Sequence, residues 1–124
     1  MDEELEKTLL SKFPEVFGQY GDLPEGRRWG IDCGNGWFML LSVLCYQLQG
    51  HVDRGGGPQV VARQIKQKMG MLMFLTSGAD EYCKGAIEVV QLLSLKTCES
   101  CGNAGQIRRT PQGWNLVLCE PCNK

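Results

Sequence analysis

The chain has 124 residues, 43% hydrophobic and 22% charged, a length for one domain with a true core plus a small appended module, and a composition that argues against disorder. Thirteen basic and fourteen acidic side chains give a formal net charge of -1, a poor footprint for affinity built on neutralising phosphates, so nucleic acid is not the expected partner. The N-terminus is acidic where an export signal is basic, no apolar run reaches membrane-spanning length, and the seven cysteines therefore read as ligands or core thiols of a cytoplasmic protein without membrane contact.

Residues 2–17 predict an amphipathic helix. Asp2 stands at its cap, Glu3 and Glu4 at its positive end, and Leu5, Leu9, Phe13 and Phe17 recur every fourth residue. Pro14 removes a backbone donor, so the regular helix is expected to end near Lys12 and a short turn to carry Val16 and Phe17 onward. Residues 18–36 are dense in glycine, with a brief extended segment predicted over 29–33. Gly34-Asn35-Gly36 predicts a tight turn opening a helix over 37–49, with Trp37, Leu40, Leu41, Leu44 and Leu48 on one face and Gly50 as its stop.

Gly55 to Gly57 read as flexible, and Pro58 suits the first turn of a third helix carrying Val61, Ile65 and Lys68 along one side. Arg63 and Lys66 would then share a basic face of it. After Gly70, residues 71–75 predict a buried strand, and residues 76–80 a turn and cap. A last helix follows over about 80–95, burying Cys83, Ile87, Val90 and either Leu93 or Leu95. The expected fold is α+β: a helix-rich body over residues 1–95 with one or two short strands, and a zinc ribbon over 96–124.

The ribbon rests on two C-x-x-C pairs, Cys98-Glu99-Ser100-Cys101 and Cys119-Glu120-Pro121-Cys122, separated by 17 residues. Two thiolates on one tight knuckle converge on a tetrahedral ion, and a hairpin returns a second knuckle to complete the set. Residues 106–109 and 115–118 supply the predicted strands and 110–113 the turn. Four thiolates close the coordination sphere, so the Zn2+ is expected to be structural. A deaminase reading fails because no H-x-E or C-x-E element is present and no proline precedes either pair.

Catalytic groups do not assemble in the sequence. His51 is the only histidine; it could pair with Asp53 as a base, but a lone histidine at a helix end is more often structural. There is no G-x-S-x-G elbow and no phosphate loop. Cys45 and Cys83 read as core thiols, and Cys33, beside Gly34 in a turn, as the cysteine to test for reactivity. No enzyme is expected.

Candidate ligand contacts are Arg27, Arg28 and Trp29 together with Asn35, Trp37 and Phe38, because guanidinium groups beside aromatic rings bind an anion with a planar part. The alternative reading puts Trp37 in the core and leaves the arginines solvated. Arg108 and Arg109, with Trp114 nearby, would line a shared cleft or offer a contact edge of their own.

Three segments carry a resemblance over nearly the whole chain. They are Phe13-Pro14 with the run from Gly30 to Phe38, the run from Gln64 to Phe74, and Thr97-Cys98-Glu99-Ser100-Cys101-Gly102 with Gly113-Trp114 and Leu118-Cys119. Together they resemble small proteins of tailed bacteriophages and prophages that end in a four-cysteine zinc ribbon. The chain departs from that pattern at Met73 and Leu75, where an arginine and an aromatic are usual. The resemblance implies a phage accessory protein in the cytoplasm of an infected bacterial host.

Two functional readings follow. In the first the protein is a non-enzymatic, anti-defence binding protein that sequesters a small anionic, nucleotide-like ligand, in a phage most naturally a host immune signal. A ligand shared between subunits would make a homo-oligomer natural. In the second the ribbon is an interaction module for nucleic acid or a host protein, although its four basic and two acidic side chains are a small excess for the former.

Overall fold

A computed structural model describes residues 1–18 and 30–123. Helix α1 spans Glu3–Lys12 and α2 spans Pro14–Phe17, with the proline at the first position of the second, where a missing N–H removes no intrahelical bond. Leu9, Val16 and Phe17 are buried. Asp2 occupies the cap position of α1 without capping it through its side chain. Its backbone N–H instead donates to Asn35 Oδ1 at 2.7 Å and ties the N-terminus to the Gly34–Gly36 turn.

That turn is a 3-10 helix, Asn35–Trp37, which leads into α3, Phe38–Asp53. Trp37, Leu41, Leu44, Cys45 and Leu48 form the inward face. The helix runs through Gly50 instead of stopping there. Its end is a Schellman motif one turn later: Gly55, at φ 79, donates to Val52 O at 2.9 Å, and Gly56 donates to His51 O at 2.9 Å. Gly55 is therefore the stop.

The expected third helix is absent. Residues 61–68 are a strand, β1 (Val61–Lys68), paired antiparallel with β2 (Met71–Ser77). Met69 and Gly70, at φ 53 and 91, form the two-residue turn of the hairpin, the left-handed pair that matches strand twist. A bulge separates this strand from the regular pattern. Register shifts between Ala62 and Gln64, so Arg63 is an extra, bulged residue. Of the stripe Val61, Ile65 and Lys68 that suggested a helix only Ile65 is buried, and the inner face is Val60, Ala62 and Ile65, a period of two interrupted by the bulge. Arg63 and Lys66 consequently share no helix face: Arg63 Nε bonds Ser77 Oγ at 2.9 Å, and Lys66 pairs with Met73 across the hairpin. The extended segment expected over 29–33 is met at Asp32, which forms a parallel bridge with Lys66.

Helix α4, Glu81–Ser94, is capped by Asp80, whose Oδ1 accepts the Cys83 N–H at 2.9 Å. It buries Cys83, Ile87, Val90 and Ser94, while Leu93 is 48% exposed. A serine replaces the predicted leucine on the inner face because β2 needs partners there. Ser94 Oγ accepts the Leu72 N–H and Gln91 Oε1 accepts the Phe74 N–H, both at 2.9 Å. Strands β3 (Gln106–Arg109) and β4 (Asn115–Leu118) form a second antiparallel pair, as expected. The described chain thus mixes four α-helices with two small antiparallel sheets. Among the described residues no helix is long and apolar enough to cross a membrane.

Two glycines set how closely the cysteine-bearing segment approaches the helices. Gly36 N donates to Glu99 O at 2.7 Å, and Trp37 Nε1 donates to Thr97 O at 2.9 Å. A Cβ on Gly36 would lie 2.1 Å from Cys98 O, and one on Gly34 would lie 2.3 Å from Glu99 O. Only glycine admits this approach.

Candidate metal centre and adjoining cleft

Each cysteine pair sits on a backbone knuckle closed by its own hydrogen bonds. Gly102 N donates to Cys98 O at 2.9 Å with Gly102 at φ 86, and Asn123 N donates to Cys119 O at 3.1 Å. Glu99 N donates to Val117 O at 2.8 Å and pins the first knuckle to β4, which delivers the second. The four Sγ atoms of Cys98, Cys101, Cys119 and Cys122 lie within 4.8 Å of one another, with Cys101 and Cys119 at 3.5 Å. A tetrahedron with ~2.3 Å metal–sulfur bonds has an edge of ~3.8 Å, so the cluster is compatible with one metal ion. Cys98 and Cys119 are buried, Cys122 half-buried and Cys101 exposed.

The thiols differ in how readily they ionise. Burial pushes Cys98 up, but the N–H groups of Cys119, Cys101 and Ser100 together outweigh it and hold the thiol at about 6. Contact with the thiols of Cys119 and Cys101 pushes Cys122 up to about 12. A metal entering this set has to displace protons from it.

A cleft of about 590 Å³ opens beside the knuckles. It is lined by Asp2 and Asn35, by Glu99 and Ser100 from the first cysteine pair's segment, and by the apolar Leu116 and Leu118 of β4. Glu99 Oε2 accepts the Gly34 N–H at 2.9 Å, whereas Oε1 is buried without a partner among the described residues. Burial raises this carboxyl against the opposing pull of the Gly34 N–H.

Of the predicted ligand contacts, Arg27, Arg28 and Trp29 lie outside the described residues. Asn35 lines the cleft. Trp37 is a fully buried core residue whose indole N–H is already used, and Phe38 is half-buried against the same core. Arg108 Nε donates to Leu118 O at 3.0 Å and lines a separate hollow with Gln106 and Cys119; Arg109 is exposed. Asn35 is therefore not brought together with Arg108 and Arg109. Cys33 is buried, and burial pushes its thiol up to about 12, which removes the expectation of reactivity.

One cluster was not legible in the sequence. His51 Nε2 lies 2.8 Å from Asp80 Oδ2, not beside Asp53, which accepts from Gln49. The imidazole stacks on Tyr82 at 4.1 Å between centroids, and a Cβ on Gly56 would lie 2.3 Å from the ring. Cys83 Sγ lies within 4.8 Å of the pair. Burial and then Asp80 push that thiol up to about 11, so it is no nucleophile at neutral pH. The group is a clasp joining the end of α3, the glycine loop and the start of α4.

The Cys83 N–H, followed by His51, holds the Asp80 carboxyl at about 2 against an ordinary 3.8. Because the folded value is depressed, the clasp's contribution is present above the unfolded value and is lost as pH falls from about 5 towards 2. Thermal unfolding of wild type and Asp80→Asn across that range is expected to show a steeper acid decline for the wild type; parallel curves would refute it.

Comparison with family models, with curated proteins and with solved structures finds no match to the chain.

Proposed function

We propose that this chain is a non-enzymatic binding protein in which a Zn2+ ion, held by Cys98, Cys101, Cys119 and Cys122, staples the C-terminal hairpin as a zinc ribbon and so fixes one wall of a cleft that captures a small nucleotide-like ligand. The observation that carries this reading is the cleft itself. Its volume of about 590 Å³ lies in the range of small-molecule sites, and it mixes the apolar Leu116 and Leu118 with the polar Asp2, Asn35 and Ser100. Four thiolates at tetrahedral spacing select zinc or an iron–sulfur cluster over harder ions and leave no open coordination position for chemistry.

The described walls suit one end of such a ligand better than the other. Asp2 and Glu99 are carboxylates among its lining residues, so N–H donors of a base are favoured there. Arg27, Arg28 and Trp29, outside the described residues, are the candidates the sequence offers for the phosphate end and for stacking. A phage accessory protein built this way would hold a host signalling nucleotide away from its receptor. Calorimetry with cyclic and ADP-ribose-type nucleotides is expected to give one-site binding of at least one of them. Gln112→Trp, at an exposed residue that lines the cleft, is expected to abolish that binding, and joint alanine replacement of Arg27 and Arg28 to weaken it by about tenfold or more. Failure of every nucleotide to bind would overturn the reading.

One observation favours a second reading, in which the hairpin contacts nucleic acid or a host protein: Trp114 is 65% exposed and Ile107 on the same hairpin is 50% exposed. Trp114→Ala separates the two. It leaves nucleotide capture unchanged under the first reading and abolishes a gel shift or partner capture under the second.

A further inference from the structure

The outward face of α3 is apolar. Met39, Val43 and Tyr46 lie at helical spacing opposite Leu41, Leu44 and Leu48 and are 67%, 58% and 72% exposed. Helix α4 runs antiparallel beside it: Tyr82 at its start bonds Gln47 late in α3, and Thr97 just past its end accepts the indole N–H of Trp37 just before α3 begins. It adds Tyr82, Val89 and Leu93, each about half exposed. No lysine, arginine, aspartate or glutamate occurs in α3 before its last residue, Asp53. A helix with one face in water ordinarily solvates that face with charge. A hollow of about 200 Å³ opens alongside, between Lys12 and Phe13 on one side and Ser42, Val43 and Tyr46 on the other.

We propose that a second copy of the chain covers this face, forming a two-fold dimer with Val43 near the axis. Met39 and Tyr46 flank Val43 by about one turn on either side, so an antiparallel α3 pair sets Met39 of one copy beside Tyr46 of the other, and reciprocally. The hollow beside Tyr46 receives the incoming Met39. Two arguments select a second copy over a different partner. A residue on a two-fold axis meets its own image, so a self-associating face has to be free of charge at its centre, and this one is. The six side chains also present on the order of 600 Å² per copy, which approaches the ~800 Å² per partner of a standard stable interface once a polar rim is added.

Sedimentation velocity of the full chain, purified with its metal, tests this directly. The wild type is expected at about twice the 13.8 kDa of one chain. Val43→Arg is expected to sediment as a monomer that keeps the wild-type circular dichroism spectrum, because Val43 faces away from the chain's own core, and to lose the concentration dependence of melting that a dimer shows. Mixing Val43→Arg with Val43→Glu is expected to restore the dimer, since opposite charges then meet at the axis. A monomeric wild type, a dimeric Val43→Arg, or folded variants that do not associate on mixing would each overturn the proposal.

Discussion

Replacing Cys98 by serine is expected to unfold residues 96–123 while leaving the helices and the β1–β2 hairpin folded. The reason lies in how little else holds that segment. Its buried apolar residues are Val117 and Leu118, and the small cluster around the metal set consists of Cys98, Leu118 and Cys119 with Leu116 and Cys122 packed against it. About thirty residues with so few buried side chains do not offset their own chain entropy. A structural zinc supplies ~10–16 kcal/mol of apparent binding free energy, and in such modules that energy is folding energy. The main core, centred on Trp37, Leu41, Leu44, Ile65 and Leu72, contains none of these four cysteines. Amide hydrogen exchange resolves the two regions. Protection is expected to vanish over 96–123 in the variant, and in the wild type with chelator, while Leu72 and Phe74 stay protected by Ser94 and Gln91. Uniform loss of protection would show that the segment and the helices unfold as one unit.

Gly36→Ala is expected to destabilise the protein by roughly 3 kcal/mol or more, the range of severe steric and packing lesions. The new methyl would lie 2.1 Å from Cys98 O, 2.6 Å from Gly102 N and 2.7 Å from Glu99 C, all backbone atoms that no rotamer change can move aside. Relief has to come from parting the first cysteine knuckle from the 3-10 turn, which breaks the Gly36–Glu99 hydrogen bond as well. Gly85 is the control. It lies inside α4, and nothing stands within 4 Å of its added Cβ. Gly85→Ala is therefore expected to stabilise by ~0.5–1 kcal/mol through helix propensity alone. Denaturant titration of both variants reads the opposite signs; equal effects would contradict the tight contact at Gly36.

Features with a local cause were readable from the residues. Pro14 divides α1 from α2 because a proline removes a donor wherever it stands. The β3–β4 hairpin follows from its turn residues and from cysteine pairs that have to converge. Where reading failed, the deciding contact was distant or the local rule was interrupted. Arg63 adds one residue to β1 and interrupts the period of two that marks a strand. Gly50 and Gly55 are equally good stops by composition, and only the hydrogen bonds of Gly55 and Gly56 to Val52 and His51 choose between them. Ser94 replaces Leu93 on the inner face of α4 because β2 needs an acceptor there. His51 stands two residues from Asp53 in the sequence, but in the fold it meets Asp80, 29 residues on. Of the candidate site, the cysteine set and Asn35 could be named in advance. The cleft could not, because it exists only where the N-terminus, the Gly34–Gly36 turn and the hairpin come together.

Native mass spectrometry of the chain purified from cells without added metal tests most directly whether a thiolate-bound zinc organises this molecule. The spectrum is expected to show one zinc per chain, lost in Cys98→Ser and on denaturation in acid. A metal-free chain whose mass shows the cysteines joined in disulfides would contradict it.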